Sequence, residues 1–135
     1  MAATVSEITA AMKRALTAVE GLRVSEFLPD QINPPQATIS LDGIDYHRSF
    51  AMGAPEHRFT VSVVVGRASE RAAQLRLDSY LSATGDYSIR QALEDDQTLG
   101  GVVQSLVVTS ASGLQTITVG DLVYLTVDFS VTCYA

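Results

Sequence analysis

With a single cysteine, Cys133, the 135-residue chain can form no internal disulfide and no metal site built from several thiolates. No apolar run approaches the ~20 residues that a helix needs to cross a bilayer. The opening MAATVSEITAAMKRAL lacks the basic start and unbroken apolar core of a secretory leader. The expectation is a protein made in the cytoplasm and used there, or carried from there into an assembly. Nine Lys and Arg stand against fifteen Asp and Glu, for a net charge of −6, and the basic residues form no run. Such a surface repels phosphate backbones, which argues against sequence-specific nucleic-acid binding. Catalytic signatures are missing too: there is no nucleophile elbow, Walker loop or dinucleotide fingerprint.

What is present describes one folded domain spanning residues 1–135. Hydrophobic residues make up 47% of the sequence, and a chain of this length buries roughly two thirds of its unfolded surface. Residues 58–81, RFTVSVVVGRASERAAQLRLDSYL, form the centre of the pattern. Phe59, Val61, Val63 and Val65 alternate with Thr60, Ser62 and Val64, which is the period of a half-buried strand. After Gly66 the residues are good helix formers. Ala73, Leu77, Tyr80 and Leu81 fall on one side of that helix and should face the sheet. Ala68, Ala72 and Leu75 fall on another, to pack on the first helix or on a neighbouring subunit.

Around this centre, Thr4 and Glu7 make a capping box for a first helix with an apolar stripe of Val5, Ile8, Met12, Ala15, Leu16 and Val19, stopped at Gly21. Short strands are expected at 22–28 and 37–41. Residues 42–57 read as a long loop or β-arm, with Tyr46, Phe50 and Met52 scattered where no internal stripe buries them together. Connections of that length are usually functional or mobile. Ser88 and Gln91 offer a second capping box for a short helix. A strand at 102–109, a turn at 110–113, a possible strand at 115–119 and a reversal at Gly120-Asp121 lead to a last strand. Its alternation places Val123, Leu125, Val127, Phe129, Val131 and Cys133 inward. The sum is an α+β fold: a mixed, mainly antiparallel sheet of four to five strands, with an N-terminal helix and a central helix pair packed mostly on one face. The strands before and after the central helices are candidate parallel neighbours.

Four groups invite a chemical reading, and each has a plainer one. Gly66-Arg67-Ala68-Ser69 lies at a strand-to-helix turn where phosphate can bind, but with one glycine and no following lysine Ser69 is better read as an N-cap. His47 and His57 sit near Asp42, Asp45 and Glu56, and such residues are zinc ligands. Their spacing matches no motif, so the favoured reading is solubilising surface. Glu94-Asp95-Asp96 at a helix end opposes the helix dipole, which favours a solvated, frayed turn over a carboxylate pair. Cys133, on an inward face, reads as a small buried hydrophobe. No cofactor, metal or catalytic residue is expected.

Four segments, taken together and in order, resemble the tail terminator, or tail-completion, proteins of long-tailed siphovirus-type bacteriophages, actinobacteriophages in particular. They are GLRVSEFLPDQINPPQATI, FTVSVVVGRASERAAQLRLDSYLS, SIRQALEDDQTLGG and VGDLVYLTVDFSV, and they cover most of residues 21–131. The resemblance implies a small α+β subunit of a hexameric ring without enzymatic activity, located in the virion at the tail neck. Such a ring caps the tail tube, stops its polymerisation and meets the head connector. A net negative lumen lets DNA pass without sticking. Partners would be further copies of the chain, the tail tube protein and the head–tail connector or stopper. The interface candidates are Tyr46, Arg48, Phe50, Met52, Ala68, Ala72 and Leu75. Two other readings stay open: a head-closure or connector protein of the same neck, and a small ligand-binding α+β domain unrelated to phage. A ring protein should carry apolar surface on its flanks, whereas a ligand-binding domain should show a pocket.

Overall fold

The computed structural model describes residues 4–19, 22–25, 35–46, 55–82, 85, 87–95 and 98–134. Within them three helices and five strands follow the order α1 (Val5–Leu16), β1 (Arg23–Ser25), β2 (Gln36–Asp45), β3 (Glu56–Arg67), α2 (Arg71–Leu81), α3 (Ile89–Glu94), β4 (Ser105–Val119) and β5 (Leu122–Tyr134). The strands form one sheet in the order β1-β2-β3-β5-β4, parallel between β1 and β2 and antiparallel elsewhere. This is the expected mixed α+β domain.

The capping box forms as read. Thr4 Oγ1 accepts the Glu7 amide at 3.2 Å, and the Glu7 carboxylate accepts the Thr4 amide. Ile8, Met12 and Leu16 are buried along the stripe, with Val5 and Ala15 at its margin. The helix stops at Leu16, before the expected stop at Gly21, which lies outside the described residues. Thr17 caps the end, its hydroxyl donating to the Arg14 carbonyl at 2.6 Å. Val19 is buried all the same, from the turn that follows.

In the sheet, Phe59, Val61, Val63 and Val65 of β3 meet Ala37 and Ile39 of β2 and Val127, Phe129, Val131 and Cys133 of β5 on one buried face, and the helices supply Met12, Leu16, Tyr80, Ile89 and Leu93 to the same core. The other face is paved with hydroxyls: the paired rows Thr38–Ser62–Asp128 and Ser40–Thr60–Ser130 cross it.

Three topological expectations change. The strands flanking the helices, β3 and β4, are not neighbours: β5 inserts between them and pairs with both. The turn expected at 110–113 is absent, because β4 runs unbroken for 15 residues and takes up the extra residues as irregularities between Val108 and Ser110 and between Ser112 and Gln115. The expected arm starts later and ends earlier, since Ile44 pairs with His57 and Asp45 with Glu56. Only 46–55 connects the two strands, and residues 47–54 lie outside the described set. The β4–β5 connection is the two-residue Gly120-Asp121, and Gly120 takes the φ of +62° that such a hairpin requires at this place.

Candidate assembly surface

Helix α2 is fixed to the sheet by one close approach. A Cβ built on Gly66 would lie 2.8 Å from the Cβ of Ala73, so glycine lets the first turn of α2 sit directly on β3. Tyr80 anchors the other end and is 1% exposed. Burial pushes its phenol above the ordinary range, an effect that nearby Arg76 partly opposes. Leu77 and Leu81 pack at the margin of the core. The face expected to meet the sheet therefore does so.

The second face is exposed. Ala72 is open to solvent and Leu75 is 58% exposed. Ala68 lies in the preceding turn, and its amide donates to the Val123 carbonyl at 2.9 Å. That bond joins the turn before α2 to the tip of the β4–β5 hairpin, where Leu122 and Val123 are also exposed at 36% and 41%. Ala68, Ala72 and Leu75 thus continue into Leu122 and Val123. In sequence, Arg67, Arg71 and Arg76 match Glu70, Asp78 and Asp121 in number within and beside these elements.

Sequence alternation placed Val123 inward. It is exposed because pairing with β3 ends at Arg67–Tyr124, leaving Val123 opposite only Thr118 of β4. Tyr124 and Thr126, assigned outward, are buried. Ser69 does not cap α2: the Ala68–Val123 bond holds the chain to β5 past the end of β3, and Glu70 occupies the N-cap position without a side-chain cap bond.

Tyr46, 61% exposed, stands at the opposite end of β3 from α2. β3 runs for twelve residues between the end beside Tyr46 and the turn that leads into α2, roughly 36 Å at ~3.3 Å per residue. Arg48, Phe50 and Met52 lie outside the described residues, as does His47.

The remaining candidates resolve into structural roles. His57 is not surface: it is 4% exposed, opposite Cys133 on β5, with its ring stacked on Phe59 at 6.4 Å between centroids. No group of three potential metal ligands occurs among the described residues. Glu94 is not a frayed residue. One carboxylate oxygen accepts the Val108 amide of β4 at 2.9 Å, and the other lies 3.4 Å from Arg90 Nε. It therefore covers part of the outer edge of β4, a role no local pattern could have announced. Asp95 is the C-cap of α3, and Asp96 lies outside the described residues. Cys133 is fully buried, and desolvation pushes its thiol up to about 12. Between α1 and α3 lies an open groove of about 340 Å³, floored by Ala11, Ala15, Ala92 and Leu99, with Arg14 and Asp95 beside it.

No protein-family model matches the chain, and no curated protein matches it. Among solved structures, a chain from the virion of a native gene transfer agent particle aligns over 95% of each chain, at 15% identity and a TM-score of 0.41.

Proposed function

We propose that this chain is a non-enzymatic structural subunit of a phage-like virion. In this reading its copies form a ring, hexameric by the family resemblance, that caps the tail tube and meets the head connector. The observation that carries it is the apolar patch of Ala68, Ala72, Leu75, Leu122 and Val123, with Tyr46 exposed just past the end of β2, beside the opposite end of β3 from the turn that leads into α2. A closed ring repeats one interface made from two different patches, and two dissimilar surfaces on opposite ends of one module suit that geometry. Burying the exposed part of Leu75 against a neighbour contributes about 1 kcal/mol, and further side chains add to it. The acidic balance suits a lumen through which DNA passes.

Leu75→Arg tests the reading. Placed on the exposed face, the charge should leave stability within about 0.5 kcal/mol while abolishing the ring species in native mass spectrometry and the capping of tail tubes. A wild-type chain that neither forms rings on its own nor assembles on tubes would remove this reading. The α1–α3 groove gives the ligand-binding alternative its one specific support. Its floor is mostly alanine, and saturable binding of a small molecule there would favour that alternative.

A further inference from the structure

We propose that the outer edge of β4 is a strand-pairing seam that joins two copies of this chain antiparallel, β4 against β4, about a two-fold axis. An edge strand presents unpaired amides and carbonyls to any other strand, and natural sheets block such edges with charges, proline or a covering element. Here blocking stops early. Glu94 occupies the Val108 amide, and past Val108 no described residue outside β5 hydrogen-bonds to β4. Residues 97–120 contain no charged residue and no proline. From Thr109 to Ser112, and at Gln115, Thr116 and Thr118, the side chains are exposed. The irregularities beside Thr109 and between Ser112 and Gln115 leave 115–119 as an uninterrupted paired run next to the hairpin tip, and this run is the centre of the seam.

The occupant follows from electrostatics. Two copies at −6 each repel, so they meet most readily where neither presents charge. Pairing β4 with its own symmetry mate lays one uncharged strand against another. The opposite sheet edge, β1, is three residues long and includes Arg23. Self-pairing also consumes both edges, so association through this seam stops at two copies. The seam uses none of the α2 residues of the patch, although its 118–119 end lies beside Val123 and Leu122, so Leu75→Arg is the variant that separates it from the ring.

The test pairs Thr116→Lys/Thr118→Lys with a control, Thr17→Lys, at the C-cap of α1. The wild type and the control should form dimers whose dissociation constant rises roughly tenfold or more in the double variant. Leu75→Arg should leave this dimer intact. In the wild type, hydrogen exchange at outward-facing amides of 115–119 should slow as protein concentration rises, a readout that needs no variant to fold. A wild type without a dimer, a dimer insensitive to both lysines, open-ended aggregates in place of a two-copy species, or concentration-independent exchange at 115–119 would each overturn the proposal.

Discussion

Gly66→Ala is the most direct probe of how α2 is seated. The added Cβ would fall 2.8 Å from the Cβ of Ala73 and 3.7 Å from its Cα, and Ala73 has no flexible end that could swing away. Either β3 or α2 must move. Overpacking of this kind costs about 1–3 kcal/mol, or about 4 °C in Tm per kcal/mol at this length. The reciprocal change, Ala73→Gly, costs about 1 kcal/mol of helix propensity and about 0.8 kcal/mol of methyl burial. Combining the two returns a methyl to the same space from the strand side, so the double variant should lose only about 1 kcal/mol. Urea unfolding of all four proteins, followed by circular dichroism at a concentration where the chain is monomeric, closes the cycle. The coupling should be favourable by more than 1 kcal/mol. Additivity within about 0.5 kcal/mol would refute the contact as the reason for glycine at 66.

Glu94→Ala should cost about 1–3 kcal/mol by leaving the Val108 amide without its acceptor, and Val108 exchange should quicken relative to Leu106. Thr4→Ala should cost about 1 kcal/mol and fray the first turn of α1, measurable as exchange at Glu7. Native Cys133 should resist thiol reagents until the chain unfolds, and Cys133→Ala should cost about 1 kcal/mol through lost burial. Its folded pKa, about 12, lies above the ordinary 9.0. The neutral thiol's contribution is therefore complete below pH 9 and is lost as pH rises from 9 towards 12. Wild-type urea midpoints should fall more steeply over that range than those of Cys133→Ala.

Much of the fold was legible wherever its cause is local. The box of Thr4 and Glu7, the alternation from Phe59 to Val65, the cap at Ser88 and the inward run Val127–Cys133 each need only a few neighbouring residues. Features set by distant residues were not legible. Serine and glycine at 110–113 signal a turn by themselves, but a long partner strand carries them through as irregularities in a ladder. His57 looks like a loop residue until Ile44 and Cys133 are placed on either side of it. Val123 continues a perfect alternation, yet it lies past the point where β3 stops pairing. Of the proposed surface, Ala68, Ala72 and Leu75 could be read from helical spacing, whereas their junction with Leu122 and Val123 rests on one backbone hydrogen bond between segments 55 residues apart in sequence.

The insertion of β5 between β3 and β4 has a temporal meaning. Ribosomes release the chain in order, so β1 to β4 emerge while the strand that belongs at the middle of their sheet is still being made. Until then the buried face of β3 lacks one flank, and β4 has no sheet to join. Closing loops of this span before contacts form is slow, in the range of milliseconds to seconds for sheets of distant pairings. Leu122 and Val123 belong to the same late segment, so the proposed patch gains its second half only when β5 arrives. A nascent copy without β5 therefore lacks Leu122 and Val123, and under the proposed assembly it could not present the complete patch.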